Sequence, residues 1–186
     1  MTPLVILDRD GVINADSSKF IKSLDEWQPL PGSIPAIARL CRAGFRVVVA
    51  TNQSGVGRGM ITPDALAAIH RELERMVAAA GGEITGIFWC PHVPDDHCDC
   101  RKPKTGLFRR IASELATALA GVPAIGDSLR DLEAALAAGC RPILVRTGNG
   151  AATAQALTAH RDARLRDTLV LDDLAAAADF LIAARP

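Results

Sequence analysis

LVILDRDGVIN, residues 4–14, runs four apolar residues directly into two acids one residue apart. The run Leu4-Val5-Ile6-Leu7 has no polar alternation, so it reads as a strand buried on both faces. A buried strand that releases Asp8 and Asp10 at its end crowds like charges where the sheet stops. That is costly unless a cation lies between the acids or one of them does chemistry. Taken alone, D-x-D-G also reads as an Asx turn closing a strand, with Gly11 completing it.

The rest of the chain repeats the opening pattern. Apolar, β-branched runs at 46–50, 86–89, 124–125, 142–145 and 168–171 alternate with segments of helical periodicity. In those segments Ile34, Ile37, Leu40 and Cys41 fall on one face. So do Leu66, Ile69, Leu73, Met76 and Val77, and then Phe108, Ile111, Leu115 and Leu119. Ser33, Thr62 and Asp172 are the expected N-caps, with Pro63 in a first turn. Residues 150–164, rich in Ala and Thr, are expected to form a loop or a surface helix. The alternation predicts an α/β fold, a doubly wound, Rossmann-like parallel sheet with helices on both faces, in one domain over residues 1–186. In such sheets ligands bind beyond the carboxyl ends of the strands. Polar residues follow four strand candidates there: Asp8 and Asp10; Thr51, Asn52 and Gln53; Cys90 and His92; Gly126 and Asp127.

Composition narrows the partners. The 186 residues carry 21 basic and 21 acidic side chains, two tryptophans, five phenylalanines and no tyrosine. That leaves neither a basic footprint nor a stacking platform for nucleic acid, and no charge for an anionic membrane. No apolar run approaches the roughly 20 residues of a membrane span. An acid at position 8 interrupts what would be the apolar stretch of a signal peptide, so a cytoplasmic monomer acting on a small molecule is expected.

The acids suggest a reaction. Asp8 fits a nucleophile that, with Asp127, also binds Mg²⁺, a hard ion held by one or two carboxylates plus waters and substrate phosphate. Asp10 could protonate the leaving oxygen and later deprotonate the attacking water. Thr51 offers a hydroxyl before a turn whose N–H groups can cradle an anion, and Lys102 offers a fixed cation.

Cys90-x-His92-x5-Cys98-x-Cys100 gathers three thiols and an imidazole within eleven residues, the donor set of a closed, structural Zn²⁺ site. His97 is an alternative ligand, and there is no C-x-x-C redox pair. Arg101 and Lys102 follow the last ligand directly, so the metal would fix their path. Cys41 and Cys140 read as buried free thiols.

The ordered set "DRDGVIN", "TNQSG", "CRKPK" and "GDSLRD" resembles the four motifs of the haloacid dehalogenase superfamily of phosphatases, over residues 4–146. The resemblance implies Asp8 as the aspartyl-phosphate nucleophile, Asp10 as acid and base, Thr51 and Lys102 as phosphate-binding groups, and Asp127 as metal ligand. It also implies a Mg²⁺ contact from the backbone carbonyl of Asp10 and a supporting role for Asp131. The spacings leave no room for the cap domain common in that family. A capless enzyme is therefore expected, with its substrate held by Asp16, Ser17, Ser18, Lys19, Asn52, Gln53, Ser54, Arg58 and Arg101. Arg58 and Arg101 would meet a distal phosphate or sugar hydroxyls. Family members often carry Lys where this chain has Ser128, which is expected among the substrate-binding residues. The substrate class implied is a small sugar phosphate. Histidinol phosphate, a 3′-phosphorylated polynucleotide, and an inactive zinc-stabilised binding module are the competing readings.

Overall fold

The computed structural model describes residues 2–184. Strands β1 (Leu4–Leu7), β2 (Arg46–Asn52), β3 (Ile84–Cys90), β4 (Pro123–Gly126), β5 (Arg141–Val145) and β6 (Leu169–Leu171) form one sheet in the order β3-β2-β1-β4-β5-β6. Every pairing is parallel. Helices α1 (Ser33–Arg42), α2 (Ser54–Gly57), α3 (Pro63–Ala79), α4 (Gly106–Glu114), α5 (Leu129–Ala137), α6 (Gly150–Leu157), α7 (Ala163–Arg166) and α8 (Leu174–Ala183) make the connections.

The unbroken apolar strands are explained by two cores. Val5, Leu7, Val47 and Val49 pack with Ile37 and Leu40 of α1, Ile69 and Leu73 of α3, and Leu174 and Leu181 of α8. Their neighbours Leu4, Ile6, Val48 and Ala50 point the other way, onto Leu107, Phe108 and Ile111 of α4 and Ala134 and Ala135 of α5. Successive strand residues thus serve opposite faces, and each fully buried aliphatic contributes about 1.5–3 kcal/mol. Cutting Leu7 back to Ala would cost about 2–5 kcal/mol.

Boundaries shift where adjacent residues compete. Thr62 caps α3 as expected, accepting from the Ala65 N–H at 3.1 Å, with Pro63 opening the helix. At α1 the cap is Gly32, at φ 77°, and the Ser33 hydroxyl instead donates to the Ile13 carbonyl at 2.6 Å. Asp173, not Asp172, caps α8 by accepting from the Ala176 N–H at 2.8 Å. Leu115 and Leu119 lie beyond α4, whose continuation is broken by Ala116 at φ 46°. Residues 150–164 contain α6 and the start of α7. Cys140 is buried, whereas Cys41 is half-buried, its thiol donating to the Glu83 carbonyl at 3.2 Å.

The topology places the chemistry. From β1 the chain winds outward through β2 and β3, then crosses to β4 on the other side of β1. The loops after β1 and β4 part at this switch point and open a crevice at the carboxyl end of the sheet. Asp8 leaves β1 there, its N–H bonded to the Ile125 carbonyl of β4 at 2.9 Å. Asp127 leaves β4 beside it.

Candidate active site

Carboxylate oxygens of Asp8, Asp127 and Asp131 lie within 4.8 Å of one another. Lys102, almost fully buried, reaches into this group. Its Nζ is 2.9 Å from Asp8 Oδ1, 2.6 Å from Asp131 Oδ1, and donates to the Ala50 carbonyl at 2.8 Å. An ammonium has three donors, and three acceptor oxygens surround this one. Asp131 is committed too: its Oδ2 accepts from the Ser128 N–H at 3.0 Å and from the Ser128 hydroxyl.

Burial and its partners divide the acids. Burial pushes Asp8 up to about 7, against the pull of Lys102 and with the help of Asp131, Asp127 and Asp10. Burial also raises Asp127, to about 6, although bonds from Asn149 oppose it. Asp131 is held low because Lys102 and Ser128 outweigh its burial. Lys102 is raised for the matching reason: Asp131 and Asp8 outweigh its own burial. Asp8 shares its one cation with Asp131, and no ion pair among the described residues reaches Asp127, so Asp8 and Asp127 together lack a positive charge.

The surroundings of Asp127 fit such a charge. Its Oδ2 accepts from the Asn149 backbone N–H at 2.8 Å and the Asn149 side chain at 3.1 Å. Gly11, at φ 81°, and Gly148, at φ 57°, press their backbones against the same carboxyl group; a Cβ on either would collide with Oδ2. The Asp127 carbonyl is fixed by Thr153 Oγ1 at 2.9 Å. With Asp131 tied to Lys102 and Ser128, Asp8 and Asp127 are the carboxylates disposed to hold a small hard cation such as Mg²⁺.

Asp10 is gripped differently. Arg9 Nε donates to its Oδ1 at 2.9 Å and Arg9 Nη2 to its Oδ2 at 3.0 Å. Asn14 Nδ2 adds 2.9 Å to Oδ1, and Gln53 Nε2 adds 2.8 Å to Oδ2.

A cleft of about 280 Å³ covers these acids. Asp8, Asp10, Asp16, Ser17, Ser18, Asn52, Ser54, Arg101, Lys102, Asp127 and Asp131 all line it, as the sequence suggested. Five expected contacts lie elsewhere. Thr51 and Gln53 are buried behind the wall, joined by Gln53 Nε2 to Thr51 Oγ1 at 3.0 Å. Ser128 backs Asp131. Lys19 lines a neighbouring hollow, and Arg58 is exposed at the end of α2. Arg130, Asn149 and Phe20 line the cleft without having been expected. Arg130 sits two residues past Ser128, its Nε donating to the Ser128 hydroxyl at 3.2 Å. Asn52 exchanges two bonds with the Lys102 backbone, at 3.1 and 3.0 Å, and so anchors that segment to β2.

Cys90, at the end of β3, joins His92, Cys98 and Cys100 in a compact cluster that could hold a metal ion. Cys90 Sγ is 3.5 Å from His92 Nδ1, 3.7 Å from Cys98 Sγ and 3.1 Å from Cys100 Sγ. Cys100 Sγ lies 3.2 Å from His92 Nδ1 and 3.6 Å from Cys98 Sγ. Burial and the neighbouring Cys100 push the Cys90 thiol far up, so that sulfur becomes a thiolate ligand only beside a cation. His97 stands outside the cluster and offers its carbonyl to Lys104 at 2.8 Å. Arg101 ties back to the loop through the His92 carbonyl at 3.3 Å.

Two family models match the chain: polynucleotide kinase 3 phosphatase over residues 4–125 and HAD-hydrolase-like over 99–177. A D-glycero-beta-D-manno-heptose-1,7-bisphosphate 7-phosphatase from Bordetella bronchiseptica is 54% identical over 179 residues, 96% of this chain and 97% of that protein. The protein of the same name from Pseudomonas aeruginosa is 52% identical with the same coverage. The crystal structure of the B. bronchiseptica D,D-heptose 1,7-bisphosphate phosphatase, complexed with magnesium and phosphate, superposes with a TM-score of 0.92. It is 53% identical and covers 98% of this chain and 99% of its own. The Burkholderia thailandensis D,D-heptose 1,7-bisphosphate phosphatase gives a TM-score of 0.72 at 45% identity, over 96% and 98% of the two chains. The chain belongs to the haloacid dehalogenase superfamily of phosphatases and, within it, to the D-glycero-beta-D-manno-heptose-1,7-bisphosphate 7-phosphatase family.

Proposed function

We propose that this enzyme, a phosphoric monoester hydrolase, removes the 7-phosphate of D-glycero-D-manno-heptose 1,7-bisphosphate through an aspartyl phosphate on Asp8. The observation that carries the reading is Asp8 at the switch point, ion-paired to Lys102 and flanked by Asp127, in a chain that matches its relatives along nearly its whole length.

An Asp8 carboxylate oxygen attacks phosphorus, and the bond from phosphorus to the sugar oxygen breaks. Asp10 delivers a proton to that leaving oxygen. As an anion it then takes a proton from the water that attacks the aspartyl phosphate. The bond from phosphorus to the Asp8 oxygen breaks, returning the carboxylate and inorganic phosphate. Lys102 can exchange its ion pair with Asp8 for the phosphoryl oxygens as the Asp8 oxygen becomes esterified, while Asp131 and the Ala50 carbonyl keep it in place. Mg²⁺, held by Asp8, Asp127 and the Asp10 carbonyl, would supply the positive charge that offsets the crowded acids and the incoming dianion. Arg101 and Arg130 line the same cleft and are the cations read as meeting the distal end of the substrate.

The cysteine–histidine cluster is read as a structural Zn²⁺ site, since three thiols and an imidazole complete four-coordination with no open position. Clustered reduced thiols support a cytoplasmic setting. No helix among the described residues is long and apolar enough to cross a membrane. Leu24 and Met60 are the large exposed hydrophobics among those residues, which supports a monomer, and the continuous sheet supports one catalytic domain.

Phosphate release tests the reading. Heptose 1,7-bisphosphate should outrun histidinol phosphate and a 3′-phosphorylated oligonucleotide in kcat/KM. Preference for either competitor overturns the substrate, and no turnover of any of them with Mg²⁺ overturns the enzyme.

A further inference from the structure

Arg9 is among the largest fully buried side chains, and nothing in the mechanism above uses it. A buried guanidinium is costly unless its donors are matched, and here the matching is specific. Nε and Nη2 grip the two Asp10 oxygens as a fork, which fixes the plane of the carboxylate. Nη2 also donates to Gln53 Oε1 at 3.0 Å, while Gln53 Nε2 donates to Asp10, so the amide locks the pair from one side. On the other side Arg9 Nη1 lies 3.3 Å from His70 Nε2.

A guanidinium only donates, so His70 Nε2 accepts and the imidazole is neutral with its proton on Nδ1. Burial and the Arg9 charge, which lower His70 to about 4, agree with that state. His70 stands on α3 beside Ile69 and one turn from Leu73, both fully buried, so its backbone is held by the core.

We infer that Arg9 and His70 are positioning residues for Asp10, a hydrogen-bonded chain from half-buried His70 on α3 through buried Arg9 that fixes where the acid–base carboxylate stands over the cleft. The inference rests on the reading of Asp10 as acid and base. An exposed carboxylate on a two-bond side chain would sample several rotamers; four matched donors select one. Misplacing a catalytic group by about 1 Å can cost roughly 10²-fold. Loosening one end of the chain should cost about tenfold, and only in steps that need Asp10.

The test compares kcat/KM on heptose 1,7-bisphosphate, whose alkoxide needs a proton, with nitrophenyl phosphate, whose phenolate does not. Asp10→Asn is the reference. His70→Phe removes the acceptor and should lose about tenfold on the sugar ester but stay within about twofold on the nitrophenyl ester. His70→Gln keeps an acceptor oxygen for Arg9 and should recover most of the loss. Arg9→Lys, which cannot fork, should show the same selective loss and serves if His70→Phe fails to fold. Equal losses on both esters, no loss, or failure of His70→Gln to recover would overturn the inference. Equal losses for Asp10→Asn itself would instead overturn the acid role on which it rests.

Discussion

Lys102 Nζ lies 2.6 Å from Asp131 Oδ1, closer than its 2.9 Å approach to Asp8. Lys102 is therefore anchored most closely by Asp131, leaving its contact with Asp8 as the one to be exchanged. Asp131→Ala should lower kcat/KM about 10²-fold by freeing Lys102. In a Lys102→Ala background the same change should add little, because both remove one interaction. A double-mutant cycle on kcat/KM checks this; fully multiplicative losses would show that Asp131 acts elsewhere.

Asp8→Asn should abolish turnover without harming the fold. An amide cannot attack phosphorus, yet Asn occupies the same volume and needs no ionisation in a site that raises Asp8 to about 7. Without metal, Asp8 costs stability as pH rises from 3.8 toward 7, because the unfolded chain releases that proton first. The variant should match or exceed wild type in Tm at neutral pH in chelator. A lower Tm would mean that the Asp8–Lys102 ion pair outweighs the burial of the acid.

Much of this site was visible in the order of its motifs, because the strand ends that carry Asp8, Thr51 and Asp127 follow runs buried on both faces, and Cys90 was marked by the spacing of the cysteines. The exchange of roles near each strand end was not. On β2, Thr51 turns inward and Asn52 toward the cleft, a matter of strand alternation at its last residues. Arg9 lay in plain view between two acids and read as a spacer. His70 reaches Asp10 only through Arg9, from α3, and Asn149 reaches Asp127 from the loop before α6, with no spacing to mark either. The caps at Ser33 and Asp172 missed by one residue because the Ser33 hydroxyl is spent on the Ile13 carbonyl and Asp173, next to Asp172, takes the capping bond.

Two anchors hold the segment at Lys102: the cysteine–histidine cluster just before it, and the reciprocal pair with Asn52 at 3.1 and 3.0 Å. Cys98→Ala should lose bound zinc by elemental analysis. It should lower kcat/KM only about tenfold, since Asn52 still holds the backbone of Lys102. Asn52→Ala in that background should cost more than the product of the two single losses, as the last anchor goes. Full activity in zinc-free protein would remove the supporting role of the metal. Simple multiplication would mean that the anchors act on different residues.

His70 gives the protein an acid-sensitive point away from the metal carboxylates. Its value falls from 6.5 to about 4 because burial and the Arg9 charge disfavour the imidazolium. Below 6.5 the unfolded chain takes up this proton while the folded one does not, so protons favour unfolding. The stabilising contribution is complete above 6.5, fades as pH falls, and is fully lost below about 4. Its size is up to about 3 kcal/mol. His70→Gln keeps an acceptor for Arg9 but cannot titrate, so its unfolding free energy should decline less than that of wild type between about pH 7 and pH 4.5. Denaturant titrations in chelator at both pH values measure the difference. Parallel declines would show that His70 is already protonated in the folded protein, and the Arg9 contact could then not have Nε2 as its acceptor.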